Sequence, residues 1–164
     1  MKRIAENQST APISLTTHHA MSIYEACSKH HKTLFFCWNI RTGIDRGVEL
    51  SRIVAYVKWY GEFILFPKLE IEEQFIFTIL NEDHYLVKRA LKEHRRIRRL
   101  FKFGTNPMKN LIYIEEELDL HIRFEEKNIL TEVEHLATPK QLKEINDKMN
   151  QLLTNANWHD QFWV

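Results

Sequence analysis

Few places in this chain let the backbone turn, and that scarcity limits the fold more than any other feature. Its 164 residues contain 4 Gly and 4 Pro. β-Sandwiches, barrels and phosphate-cradling loops need Gly at tight turns and where backbone approaches a ligand, so those architectures fit poorly. Phosphate-loop and dinucleotide fingerprints are absent as strings. The breaks that do exist are clustered. Gly43 and Gly47 bound the short connection 42–47, Gly104-Thr105-Asn106-Pro107 is a stop and turn, and Pro139 follows Thr138. Between these points apolar residues recur at helical spacing. The spacing predicts helices over about 23–41, 48–80, 83–103 and 108–135, then a shorter one from Pro139 to about Leu153. Pro67 lies inside the second stretch and predicts a kink or restart. Four long helices with short connections imply an all-α fold, an antiparallel up-and-down four-helix bundle with an extra short C-terminal helix.

A chain of this length makes one domain with a sizeable core. Residues 1–20 are polar and aperiodic and read as a loose N-terminal arm. Residues 21–136 would form the bundle, and 137–164 a helix and tail that fold back on it. The balance of 27% charged and 44% hydrophobic residues is that of a globular chain. A net charge of +1 gives little electrostatic support for nucleic acid or an anionic membrane as partner. The basic run Lys88, Arg89, Lys92, Arg95, Arg96, Arg98, Arg99, Lys102 on the third helix therefore reads as a solvated face with interhelical ion pairs. Cys27 and Cys37 sit on one predicted helix, roughly 15 Å apart at about 1.5 Å per residue, too far to bridge. Free thiols, no signal-peptide core and no apolar run of membrane-spanning length lead to the expectation of a cytoplasmic protein.

Nine His are present, and their faces matter more than their number. On the first helix His31 lies on the stripe Cys27, His31, Leu34, Trp38. On the third, His94 lies on Val87, Leu91, His94, Ile97, Phe101, and on the fourth His121 lies on Ile114, Leu118, His121, Ile122, Glu125, Ile129. One such His is most simply a core histidine bonded to a neighbour. Three are accompanied by inward carboxylates, Glu72 and the pair Glu125-Glu126. A buried carboxylate needs a partner. A cation bound between facing helices supplies one, and mixed imidazole and carboxylate donors suit iron, manganese or zinc better than calcium. Trp38, Trp59, Tyr56, Tyr60, Phe63 and Phe66 read as core, with some left to line a small-ligand channel or wall off a metal.

Four motifs fall in order on the four predicted helices. His30-His31-Lys32-Thr33-Leu34-Phe35 resembles the first motif of hemerythrins and hemerythrin-like HHE cation-binding domains. Leu65-Phe66-Pro67-Lys68-Leu69-Glu70-Ile71-Glu72-Glu73 resembles the second, Glu93-His94-Arg95-Arg96-Ile97 the third and His121-Ile122-Arg123-Phe124-Glu125-Glu126 the fourth. The resemblance covers about residues 22–135 and implies a bundle with a non-haem iron site, commonly of two bridged irons. It implies His31, His94 and His121 as terminal ligands, and Glu72 and Glu126 as bridging carboxylates. Helical spacing from His121 favours Glu125, so both Glu125 and Glu126 stand as candidates. His30 replaces His31 if the first helix is rotated. Where the family places a His four residues before Glu72, this chain has Lys68; a protonated Lys has no lone pair to give a metal. The respiratory members' extra His, four before the third-motif His, is Ala90 here, which points away from an oxygen carrier.

The implied function is a hemerythrin-like iron protein, with one or two non-haem irons, that binds or senses dioxygen, nitric oxide or peroxide. Lys68 leaves enough donors for one metal and few for two. The alternative is a metal-depleted bundle acting as an interaction or regulatory module, with Lys68 paired to Glu72 in place of a cation. A redox enzyme acting on peroxide is a weaker third reading, because no nucleophile or substrate pocket is visible in the sequence.

Overall fold

In a computed structural model the described residues are 24–152 and 157–164, with side chains from 28 onward. The expected N-terminal arm, with His18 and His19, lies outside them. Every regular element among the described residues is helical. They are α1 (Tyr24–Asp45), α2 (Leu50–Tyr60), α3 (Phe66–Ile71), α4 (Phe77–Leu80), α5 (Tyr85–Leu100), α6 (Pro107–Phe124), α7 (Leu130–Leu136) and α8 (Pro139–Gln151). Among these residues no helix is long and apolar enough to cross a membrane.

The breaks are only partly where the sequence suggests. Gly43 does not end α1; it lies within it, where an added Cβ would come 2.7 Å from the Phe162 ring of the tail. Gly47 makes the turn, at φ +65°. Pro67 does not break its helix. π-Helical turns join α2, α3 and α4 into one rod over 50–80, at Gly61–Leu65 and Glu72–Ile76. The first widens the helix just before the proline, whose ring would otherwise crowd the carbonyl of Phe63. A third π turn, Glu125–Ile129, joins α6 to α7. The expected Asn81–Asp83 cap is replaced by His84, whose Nδ1 accepts from the Leu86 N–H at 3.3 Å. Asn106 caps α6, and Thr138 with Gln141 forms a capping box at α8.

Burial divides the interior into two apolar clusters. One is built from residues such as Phe36, Ile40, Tyr56, Leu65, Ile97, Leu111, Ile114 and Phe162. The other contains Ile76, Phe77, Val87, Ala90, Ile129, Val133, Ile145 and Met149. The rod 50–80 crosses from the first to the second between Leu69 and Ile76, α5 between Ala90 and Ile97, and the rod 107–136 between Leu118 and Phe124. The buried polar residues Glu72, His94 and His121 fall at those crossings, with Lys68 and Glu125 directly adjoining them. α8 contacts α1, α3 and the turn Glu72–Ile76. The tail lies against α1 and α2: Arg46 donates to the Trp163 and Val164 carbonyls at 2.9 and 2.7 Å, and Arg52 pairs with Asp160 at 2.6 Å.

Candidate metal centre

Six buried polar side chains meet where the two clusters adjoin: His30, Lys68, Glu72, His94, His121 and Glu125, none more than 2% exposed. Both inward carboxylates occupy the first position of a π turn, Glu72 in Glu72–Ile76 and Glu125 in Glu125–Ile129. Such insertions in α-helices recur at functional sites.

Two sides of this cluster are chemically distinct. Glu72 Oε2 lies 3.7 Å from His94 Nε2, and Glu125 Oε1 lies 3.6 Å from His94 Nε2 and 3.3 Å from His121 Nε2. These four side chains offer donor atoms that all lie within 4.8 Å of one another, a buried cluster able to hold a metal ion. A first-row metal with bonds of about 2.0–2.2 Å spans opposite donors about 4 Å apart, so little contraction is required. The remaining carboxylate oxygens face the other way. His30 Nε2 lies 3.5 Å from Glu72 Oε1 and 3.3 Å from Glu125 Oε2. Lys68 pairs with Glu72 Oε1 and lies 3.9 Å from Glu125 Oε2.

Each imidazole is clasped from outside by a carboxylate. His94 Nδ1 lies 2.7 Å from Glu73, His121 Nδ1 2.8 Å from Glu93, and His30 Nδ1 3.3 Å from Glu126. Each clasping Glu is the chain neighbour of an inward residue on another helix: Glu73 of Glu72, Glu93 of His94, Glu126 of Glu125. Arg98 donates to Glu73 at 2.8 Å and Arg89 to Glu93 at 2.8 Å. For His94 and His121 the hydrogen bond from Nδ1 to the carboxylate turns the Nε2 lone pair inward, as in the outer shell of many metal sites.

That arrangement leaves a place for a cation. His94 Nε2 and His121 Nε2 face each other at 3.0 Å. With both Nδ1 hydrogens given to Glu73 and Glu93, two lone pairs confront one another, which requires a proton or a cation between them. Glu72 Oε2, both Glu125 oxygens and both His30 nitrogens are buried without hydrogen-bond geometry to any partner. Two nitrogens and two carboxylate oxygens on one side match iron, manganese or zinc. The donor set fits one such ion.

Protonation follows the same crowding. Burial opposes charge on His30, and Lys68 adds to that, yet Glu125, Glu126 and Glu72 outweigh both and raise it to about 10. Burial likewise opposes charge on His121, while Glu125 and Glu93 raise it to about 9. For Lys68 burial is again the largest influence, and Glu72 and Glu125 overcome it to keep the ammonium charged. Burial would raise Glu73, but hydrogen bonds from His94 and Arg98 hold it down at about 2.

Some expected residues need correction. His31 is exposed and His30 is the inward imidazole. Of the stripe Cys27–His31–Leu34–Trp38, the side chain of Cys27 lies outside the described ones; the rest is not the buried face, because Phe36, Cys37 and Ile40 are buried while Trp38 is 48% exposed. Glu125, not Glu126, reaches the interior. The helix between His121 and Glu125 is still α-helical, so a spacing of four aligns them, and the widening that would bring a fifth residue inward begins only at Glu125. Glu126 instead sits at the rim, its side chain 35% exposed, against His30. Glu72, His94 and His121 face the interior, and Lys68 lies beside Glu72. Glu73 and Glu93 are further residues of the site, beyond those the helical stripes point to. Their signal is adjacency, since Glu72, His94 and Glu125 each have a Glu beside them in sequence, although His121 does not. Four members of the basic run are paired: Lys88 with Asp83, Arg89 with Glu93, Arg96 with Glu117 and Arg98 with Glu73. No protein-family model, curated protein or solved structure matches the chain.

Proposed function

We propose that this chain is a hemerythrin-like, antiparallel four-helix bundle that holds one non-haem iron between Glu72, His94, His121 and Glu125. The observation that carries the reading is the pair of inward Nε2 atoms 3.0 Å apart, each imidazole held from outside by its own carboxylate. The order of the apolar clusters supports the bundle: rod 50–80 passes from the first to the second, α5 returns, and rod 107–136 passes across again. Lys68 supports one metal rather than two. Its ammonium already neutralises the carboxylate oxygens on the His30 side, where a second cation would be repelled.

Ferrous iron, when bound, supplies attachment of and electron transfer to a small ligand such as dioxygen, nitric oxide or peroxide. The protein's own residues do the rest. Glu73 and Glu93 orient the imidazoles, and Phe77, its ring 5.3 Å from that of His94, adds an apolar wall. The expected compartment of such a protein is the cytoplasm.

The test is metal analysis of protein loaded anaerobically with ferrous iron. One equivalent is expected, lost in His94→Ala and His121→Ala. Less than half an equivalent in the parent protein refutes the reading. Manganese or zinc held in place of iron in supplemented cells would leave the site and change its metal.

A second reading has its own support. The charged Lys68, paired with Glu72, and the raised His30 and His121 let protons and an ammonium balance both inner carboxylates without a metal. That would make the chain a metal-free interaction module. Lys68→His separates the two: conversion from one metal equivalent to two supports the iron site, and no metal uptake by either protein supports the module.

A further inference from the structure

The ion pairs of the basic run lie to either side of one face of α5. Arg96 reaches across to Glu117 and Arg98 to Glu73, while Arg89 takes Glu93 of its own helix. Between them Tyr85, Lys88, Lys92, Arg95 and Arg99 recur at spacings of three and four residues, which makes one seam along the helix. All five are exposed. Among the described residues no carboxylate pairs with Lys92, Arg95 or Arg99. Lys88 has Asp83 at 2.9 Å, but both side chains stand largely in water, and such a pair is worth little. The seam is roughly 21 Å long at about 1.5 Å per residue. The chain's net charge of +1 does not describe it, because charges act on a surface ligand within about 10 Å at ordinary salt. At one end of the seam stands an aromatic ring. Tyr85 is 74% exposed, and its inner neighbour is His84, which caps α5 and stacks on it at 4.9 Å.

We propose that this seam binds single-stranded nucleic acid, with phosphates along Lys88, Lys92, Arg95 and Arg99 and a base stacked on Tyr85. Like charges three and four residues apart repel one another, and a polyanion relieves that repulsion while releasing its own counterions. Phosphate contacts carry no sequence information, and a base stacked on a ring is read by its face alone, so binding is independent of sequence. An acidic helix of another protein fits less well, because helices pack along a three-and-four seam when it is apolar, and this one is cationic. A duplex keeps its bases stacked on each other and leaves Tyr85 unused. A lipid surface takes up a helix through aliphatic and aromatic side chains, of which the seam has only Tyr85. The seam faces away from the His and Glu cluster, and its binding does not rest on iron.

The test is fluorescence anisotropy of the full chain with labelled oligothymidylate and oligouridylate of about twelve nucleotides. Binding is expected at micromolar to sub-millimolar protein, and the tighter of the two probes names DNA or RNA as the source. Four phosphate contacts to a single strand give a slope of about −3 for log affinity against log salt, or about fiftyfold weaker binding from 50 to 200 mM. The double variant Arg95→Gln, Arg99→Gln should halve that slope, and Tyr85→Ala should weaken binding about fivefold or more. The double variant Lys109→Gln, Lys140→Gln removes equal charge from exposed positions off the seam and should leave the slope unchanged. Each variant is compared with its helical circular dichroism retained. An equal fall in the Lys109 and Lys140 variant overturns the seam, as does no anisotropy change at low salt. Unchanged affinity in Tyr85→Ala, or tighter binding of a duplex of the same length, overturns the single strand. Tighter binding of polyglutamate or of phosphatidylserine vesicles overturns nucleic acid as the partner.

Discussion

Removing the ammonium of Lys68 asks what that group does inside the protein. Lys68→Met keeps the length and apolar stem of the side chain and deletes the charge. Lys68 is 2% exposed and pairs with Glu72, with Glu125 3.9 Å away. Without it two buried carboxylates lose their fixed counter-cation. Breaking a buried pair from one side costs about 3–5 kcal/mol. In a domain of this size each kcal/mol moves the midpoint by about 2–4 °C, so the metal-free variant should melt roughly 6–20 °C below the parent. The same deletion removes a positive charge that repels an incoming cation. Metal should therefore stabilise the variant more than the parent. Saturation to about 100 times Kd is worth about 2.7 kcal/mol, and the variant reaches that at a lower ferrous concentration. Differential scanning calorimetry of metal-free and anaerobically loaded protein measures both effects. If the metal-free variant melts with the parent, Lys68 is not the counter-cation of Glu72 and Glu125. If iron raises both midpoints equally, the ammonium and the metal do not share the carboxylates.

Glu73→Gln and Glu93→Gln should each weaken iron binding by about 10–100-fold in a competitive chelator titration, because the clasped imidazole loses its orienting charge. His30→Ala should alter the metal-free midpoint, whereas His31→Ala should leave both midpoint and iron content unchanged, since His31 is exposed. Gly61→Ala should destabilise by about 1–3 kcal/mol in a urea melt, because its Cβ would stand 2.6 Å from the Phe101 ring. Burial, with Glu115 and Asp119, pushes the Cys37 thiol up from 9.0. The stability it contributes is intact below pH 9.0 and falls away above, so Cys37→Ala should show a shallower stability loss from pH 9 to 10, and parent Cys37 should resist alkylation until unfolded.

The inward faces of α5 and α6 were legible in the sequence because both carry a continuous apolar stripe. Of Val87, Leu91, His94, Ile97 and Phe101 on one, all but the partly buried Leu91 are buried, and Ile114, Leu118, His121 and Ile122 on the other are all buried. α1 was not legible. Its buried face includes Lys29, His30, Thr33 and Asn39, while Phe35 and Trp38 are about half exposed. Tertiary contacts, not hydrophobicity, set its rotation. Thr33 accepts from Tyr60 at 3.2 Å, and Asn39 donates to Tyr56, partners far along the chain. The π turns were equally hidden. A widened turn has no composition signature, and it follows from how Pro67 and the two inner carboxylates must sit against their neighbours. The exchange of Glu126 for Glu125 is decided by where one such turn begins.

The carboxylates that clasp the histidines are themselves only partly covered: the side chains of Glu73, Glu93 and Glu126 are 28%, 27% and 35% exposed. Glu73 and Glu93 hydrogen-bond the Nδ1 of the fully buried His94 and His121 rings, while Glu126 stands 3.3 Å from His30. The orientation of the His94 and His121 rings is thus set from the water side. Salt, a docking partner's arginine or a substitution at the rim reaches the centre without any inner side chain moving, because it needs only to loosen one outer carboxylate. Natural variation could tune the basicity of the inner nitrogens by exchanging residues such as Arg89 and Arg98, which touch the clasps and never the interior.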